Sequence, residues 1–163
     1  SFGNAAPPCF PELATLDIRY NAMGDAALVA ALRRWPKLTT LRLSGNLLTF
    51  ASKYDKLWSG VSLGIDALDV RQNRLVAVPS AVLRSCAPSL RRIIVTRNHI
   101  TDIGDALWTC TSLRDLWVGR NELTTLLPPF SDDASPPRSL PCLQTLFAFD
   151  NLISELPPTL PHM

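Results

Sequence analysis

The chain has 163 residues, of which 47% are hydrophobic and 18% are charged, and its formal net charge at pH 7 is +2. This length and composition suit one folded domain over residues 1–163 with a sizeable buried core, and the small net charge does not demand an anionic partner. Because no apolar run approaches the roughly 18 residues of a membrane-spanning helix, we expect no membrane span.

One eleven-residue pattern recurs six times along the chain. Each copy has an apolar residue, two variable residues, an apolar residue, one variable residue, an apolar residue, two variable residues, Asn, one variable residue and an apolar residue. In chain order the copies are LATLDIRYNAM, LTTLRLSGNLL, IDALDVRQNRL, LRRIIVTRNHI, LRDLWVGRNEL and LQTLFAFDNLI. Their asparagines are six of the seven in the chain, so chance explains the repetition poorly: Asn21, Asn46, Asn73, Asn98, Asn121 and Asn151.

The middle of each copy predicts a short strand. Apolar residues alternate there with period two, so that Leu41 and Leu43, for example, face inward while their neighbours face outward. An Asn side chain can hydrogen-bond the backbone groups that a turn leaves unpaired, so the six stacked asparagines predict a ladder inside the coil. The strands are expected to stack in parallel near residues 15–19, 40–44, 67–71, 92–96, 115–119 and 145–149.

The segments that connect the strands differ from one another. Asp25 precedes apolar residues at helical spacing and predicts a capped helix, and Pro79 is compatible with the first turn of a second helix. Five prolines in residues 126–143 exclude a regular helix and predict an extended insertion or loop. Residues 128–141 are expected to form a mobile exposed segment, either a plain spacer or one that accepts a phosphate at Ser135.

The repeated pattern resembles LxxLxLxxNxL of the leucine-rich-repeat family when Ile, Val, Ala and Met count as Leu. The resemblance covers residues 13 to about 160. It implies an α/β fold, a curved solenoid with a parallel sheet on its concave face and short helices, 3-10 turns and loops on its convex face. Apolar-Pro steps after three of the turns resemble the intracellular type with irregular repeat lengths, for which we expect a cytoplasmic location: Val78-Pro79, Leu127-Pro128 and Leu156-Pro157.

Terminal repeats of a solenoid expose an apolar edge unless caps cover them. Few residues flank the six copies, so we expect a fragment of a longer protein or edge-to-edge packing through the uncapped terminal repeats.

The chain offers little material for catalysis. His99 and His162 are its only histidines, and it has no glycine-rich phosphate loop. Asp102 and Asp105 near Gly104 favour a solvated turn, with a cation site as the alternative. We therefore expect no enzyme activity, no metal and no cofactor.

The four cysteines, Cys9, Cys86, Cys110 and Cys142, form no CxxC pair. Their spacing favours free buried thiols and a reducing compartment. The alternative is a disulfide between Cys86 and Cys110 on adjacent coils.

Two outward columns of side chains are expected on the concave face. One column runs Asp17, Arg42, Asp69, Ile94, Trp117, Phe147, and the next runs Arg19, Ser44, Arg71, Thr96, Gly119, Phe149. Charge thus gives way to apolar surface toward the last repeats, where the alternatives are a binding site or side chains that only cover one another. In the charged half, residues of opposite sign are expected to pair across strands. The predicted site has an apolar centre and a basic border: Ile94, Trp117, Phe147 and Phe149, with Arg92, Arg97 and Arg120.

These features favour a protein-protein interaction module, a scaffold or adaptor that binds a protein partner on its concave face. The alternative is the substrate- or regulator-binding segment of a larger signalling enzyme such as a kinase, GTPase or ubiquitin ligase. Interspersed acidic residues and few lysines disfavour nucleic acid as the partner. An extracellular receptor module is disfavoured because the chain has no N-x-Ser/Thr sequon and no cysteine-rich cap.

Overall fold

A computed structural model describes residues 10–32, 34–51, 63–78, 80–126 and 139–156 of the chain. Within these ranges, six short strands pair in parallel and in chain order to form one sheet. This order confirms the expected parallel sheet of a repeat solenoid. The strands are β1 (Thr15–Asp17), β2 (Thr40–Arg42), β3 (Ala67–Asp69), β4 (Arg92–Ile94), β5 (Asp115–Trp117) and β6 (Thr145–Phe147).

The register of the sheet matches the sequence alignment of the six repeats. The central residues of neighbouring strands pair with one another along the whole sheet, from Leu16 beside Leu41 to Leu116 beside Leu146. The central residues of β2 to β5 are fully buried, whereas Leu16 and Leu146 at the two ends are half-buried. The end strands therefore leave part of their apolar side chains uncovered.

The strands have three residues each and are shorter than the five-residue segments expected from the sequence. Inter-strand hydrogen bonds do continue beyond them: the Ile18 N–H donates to the Arg42 carbonyl at 3.1 Å and the Tyr20 N–H to the Ser44 carbonyl at 2.7 Å. The chain then turns at the residue before each repeat Asn, which has a positive φ in all six repeats. These left-handed residues are Tyr20, Gly45, Gln72, Arg97, Arg120 and Asp150, with φ between 52° and 69°.

Short helices lie on the other side of the coil from the sheet. The predicted helices are confirmed as α1 (Asp25–Leu32) and α2 (Ser80–Cys86), and a 3-10 helix spans Asp105–Thr109. Each of them buries one apolar face against the core between helices and sheet. Trp108 is buried in this core, and Trp35 packs against it half-buried. Residues 127–138, most of the predicted insertion over 128–141, lie outside the described residues.

Asp25 is the first residue of α1 and connects two repeats. Its buried carboxylate accepts hydrogen bonds from the Thr49 N–H and the Phe50 N–H, both at 3.1 Å, and from the Thr49 hydroxyl at 2.7 Å. A carboxylate taken out of water needs such donors, and here they come from the turn of the next repeat. The helix starts where the sequence predicted, and its first residue also joins the second repeat.

Cys86 and Cys110 are both buried and both free, so the alternative of a disulfide between them is wrong. The Cys86 thiol donates a hydrogen bond to the Val82 carbonyl one helical turn earlier, at 3.1 Å. Cys142 is free and exposed, and Cys9 lies outside the described residues.

The two buried thiols should make stability fall at alkaline pH. Burial raises the pKa of Cys86 to about 12, with a contribution from neighbouring Cys110, and burial also raises the pKa of Cys110 to about 11. Because the unfolded chain loses these protons first, near pH 8.5, the stabilisation is complete below that pH. It is lost as the pH rises to about 11 for Cys110 and about 12 for Cys86. We expect each thiol to lower the free energy of unfolding by about 1 kcal/mol per pH unit in that window.

Denaturant unfolding at pH 8 and pH 10 measures this effect in the wild type, in Cys86→Ala and in Cys142→Ala as the exposed control. The Cys86→Ala variant should lose less stability than wild type on going from pH 8 to pH 10. Equal losses in Cys86→Ala and wild type would contradict the assignment.

Candidate functional site

Three aromatic side chains lie together on the concave face, and we call Trp117, Phe147 and Phe149 the aromatic cluster. Trp117 ends β5 and pairs in register with Phe147, which ends β6. Their ring centroids are 5.2 Å apart with an interplanar angle of 69°, an edge-to-face contact that aromatic quadrupoles favour. Trp117 is half-buried, whereas Phe147 and Phe149 are 45% and 51% exposed. The cluster thus presents two phenyl rings to solvent.

Phe149 lies over the backbone of Gly119 on the neighbouring strand. A Cβ atom placed on Gly119 would come within 2.6 Å of Cε1 of the Phe149 ring, so any larger residue there would displace the ring. Gly119 has no side chain, which leaves space near Trp117, and the Phe149 ring occupies that space. Glycine therefore fixes how the second phenyl ring lies.

The aromatic cluster forms one end of a concave groove of about 700 Å³, which we call the aromatic groove. Polar and basic side chains of the first, third, fourth and fifth repeats complete its walls. These are Tyr20, Arg71, Gln72, Thr96, Arg97 and Arg120. A second groove of about 390 Å³ lies among the arginines of the first four strands and includes Arg92 and Ile94 in its lining.

The structure divides the residues of the predicted site between these two grooves. Trp117, Phe147, Phe149, Arg97 and Arg120 line the aromatic groove, and Ile94 and Arg92 line the second groove. Ile94 is only 9% exposed. It pairs with Asp69 and Trp117 of the neighbouring strands, and its burial leaves little surface for a partner to contact.

Tyr20 and Gln72 line the aromatic groove without having been predicted. Both are left-handed residues that precede a repeat Asn, and the Tyr20 hydroxyl donates to the Gln72 side-chain oxygen at 3.3 Å. The Tyr20 ring crosses Gly45 of the intervening repeat. The sequence did contain a signal for this contact. At the position before the repeat Asn, the second repeat has Gly45, whereas the first and third repeats have the long side chains of Tyr20 and Gln72.

Two of the three border arginines are neutralised by carboxylates of the next repeat. Arg92 binds Asp115 at 2.8 Å, and Arg120 binds Asp150 at 3.2 Å, each through its Nε. Among the residues that the structure describes, Arg97 has no carboxylate partner within ion-pair distance. Its exposed guanidinium is therefore the uncompensated charge of the border.

The charged half of the concave face also consists of ion pairs. Asp17 binds Arg19 of its own repeat at 2.8 Å and Arg42 of the next strand at 3.6 Å. Asp69 instead binds Arg71 of its own repeat at 2.7 Å. The hydrogen bond from Arg19 lowers the pKa of Asp17, and the hydrogen bond to Asp69 raises the pKa of Arg71. Pairing within a repeat therefore outweighs the expected pairing across strands.

The repeat asparagines hold these surface columns in register. Asn46, Asn73, Asn98 and Asn121 are buried, and each joins its own turn to the preceding repeat. The Asn98 amide oxygen accepts the N–H groups of Asn73 and Leu75, both at 3.1 Å. Its amide nitrogen donates to the carbonyls of Val70 at 3.1 Å and Val95 at 2.8 Å.

The asparagines at the two ends differ from each other, because Asn151 bonds the preceding repeat as Asn98 does. Asn21 is exposed and donates to the carbonyls of Ile18 and Arg19 in its own repeat, at 3.0 and 3.1 Å. Asn151 is half-buried and accepts the Leu123 N–H of the fifth repeat at 3.1 Å.

The described residues contain no group of three or more His, Cys, Asp or Glu side chains that could hold a metal ion. Asp102 accepts the Gly104 N–H at 2.9 Å, which is a local turn bond, and exposed His99 pairs with Glu122 at 2.9 Å. His162 lies outside the described ranges. None of the helices that the structure describes is long and apolar enough to cross a bilayer.

No family model and no curated protein sequence matches the chain. Among solved structures, the fold is similar to the crystal structure of an internalin (inlF) from Listeria monocytogenes, with a TM-score of 0.59 and 22% sequence identity. The match covers 89% of this chain, which spans 44% of the internalin chain. The in-register repeats, the hydrogen-bonded asparagines and this likeness together define the class: the chain has the leucine-rich-repeat fold.

Proposed function

We propose that the chain is a protein-recognition module, a scaffold or adaptor without catalysis of its own, that binds a protein partner through the aromatic cluster. The observation that carries this proposal is the exposure of Phe147 and Phe149 beside Trp117. Contiguous exposed apolar patches on soluble proteins commonly mark interaction sites. Tryptophan in such a patch is enriched among the residues that dominate binding energy.

Mutual covering of the rings explains only part of this surface. The edge-to-face contact with Phe147 covers part of Trp117, but Phe147 and Phe149 are still 45% and 51% exposed. A partner that buries both rings would remove this area from water, which favours binding by about 25 cal/mol per Å² of apolar surface. The exposed rings therefore support a contact with another molecule.

A second candidate is the substrate- or regulator-binding segment of a larger signalling enzyme, with the aromatic cluster as the same recognition surface. The half-buried apolar side chains of β1 and β6 favour it, because further repeats or an edge-to-edge partner would cover them. For either candidate we propose the cytoplasm as the location, since the free thiols of Cys86, Cys110 and Cys142 suit a reducing compartment.

Affinity capture from a cell extract tests the proposal with the wild type, Trp117→Ala and Phe10→Ala as bait. Phe10 is an exposed phenylalanine outside the groove and gives a matched apolar control. We expect a protein that the wild type and Phe10→Ala retain and that Trp117→Ala loses. Equal capture by all three baits would place the binding surface elsewhere.

A further inference from the structure

We propose that the aromatic groove binds an extended acidic peptide segment, with one carboxylate on Arg97 and an apolar side chain against Phe147 and Phe149. This inference rests on the proposed function and names the class of partner segment that the groove would accept.

The charges of the groove favour an acidic ligand. Every charged residue in its lining is an arginine: Arg71, Arg97 and Arg120. Arg71 and Arg120 already bind Asp69 and Asp150, so their charge is compensated. In the described part of the chain Arg97 lacks a carboxylate partner, and its planar guanidinium presents N–H donors that match a carboxylate in two-point geometry.

The basic and apolar parts of the groove lie at a defined spacing. The Arg97 N–H donates to the carbonyl of Gly119 at 3.1 Å, which fixes Arg97 beside the residue that Phe149 covers. Arg97 follows β4 and the phenyl rings belong to the β6 repeat, so they are two strands or about 10 Å apart. An extended peptide advances about 3.3 Å per residue, so its acidic and apolar side chains should be about three residues apart.

A peptide fits this surface better than a nucleic acid. Asp69, Asp115 and Asp150 lie on the same face among the arginines and would repel a continuous row of phosphates. A single uncompensated guanidinium suits a single carboxylate.

A phage-displayed library of random dodecapeptides, selected on the wild-type chain, tests the inference, with oligothymidylate as the nucleic-acid probe. We expect selected sequences to hold Asp or Glu about three positions from an aromatic or large aliphatic residue. A synthetic peptide of that sequence should bind Arg97→Gln about tenfold more weakly than wild type, and more weakly still at high salt. Gln suits this left-handed position, since Gln72 holds it in the third repeat with a φ of 53°.

The charge-matched control is Arg84→Gln on the convex helix α2, which should bind the peptide as the wild type does. No enrichment, selected sequences without acidic residues, or unchanged binding by Arg97→Gln overturns the inference. It is also overturned if oligothymidylate binds with dependence on Arg97 while no peptide does. Selected peptides that lack acidic residues but are lost on Trp117→Ala leave the proposed function standing. Selected peptides that bind Trp117→Ala and wild type equally contradict the proposed function too.

Discussion

Replacing Asn98 by alanine is expected to lower the free energy of unfolding by about 3 kcal/mol. The Asn98 amide oxygen is the acceptor for the N–H groups of Asn73 and Leu75 at the turn of the preceding repeat. Without it, two buried backbone donors lose their acceptor, at a cost of about 1–3 kcal/mol each. The carbonyls of Val70 and Val95 suffer less, because the side chains of Asn73 and Asn121 also donate to them.

Asn21→Ala provides the matched control, since Asn21 is exposed and, among the described residues, its side chain bonds only carbonyls of its own repeat. We expect it to cost less than about 1 kcal/mol in the same urea unfolding experiment, because water can replace the lost bonds. Equal destabilisation by the two substitutions would show that the buried ladder does not hold the repeats together.

Replacing Trp117 by alanine is expected to weaken partner binding by about 2 kcal/mol, roughly thirtyfold in affinity, while the chain stays folded. Binding suffers because the indole ring positions Phe147 through their edge-to-face contact and forms the wall of the aromatic groove. The fold should survive because Trp117 lies on the outward side of β5, away from the buried row of Leu116 and Val118. Titration of the captured partner, together with urea unfolding of the same samples, measures both quantities.

Trp117→Phe separates the packing of the ring from its polar atom. The indole Nε1–H of Trp117 is buried and has no acceptor among the described residues, and such a donor costs about 1–3 kcal/mol. Phenylalanine keeps an aromatic ring and removes that donor, so we expect Trp117→Phe to be at least as stable as Trp117→Ala and to bind more tightly. An unfolded Trp117→Ala variant would instead identify the residue as core.

The sequence predicted the repeat register and the parallel sheet because six copies of one pattern leave a single alignment. A slip of one residue would bury Asp115 and expose Leu116 and Val118. The strand ends were less predictable, since five non-glycine residues adopt the left-handed conformation that stops each strand. Their strain is tolerated because the asparagine that follows fixes the turn by hydrogen bonds. No local signal in the sequence indicated that Asp25 would bind the next repeat.

The sequence predicted which outward residues of the candidate site are neighbours, but not which side chains contact one another. Trp117 and Phe147 pair as the alignment required, since the register alone decides which outward residues are neighbours. The compensation of Arg92 and Arg120 was not predictable, because ion pairing depends on rotamers that the pattern does not contain. The burial of Ile94 likewise depends on the side chains of both neighbouring strands.

Photocrosslinking from the aromatic cluster tests the central claim most directly. Benzoylphenylalanine placed at position 149 lies in the aromatic groove, and the same residue at position 10 replaces an exposed phenylalanine outside it. Irradiation with the captured partner should give a covalent adduct from position 149 and none from position 10. An adduct from position 10 with none from position 149 would contradict recognition through the concave aromatic groove.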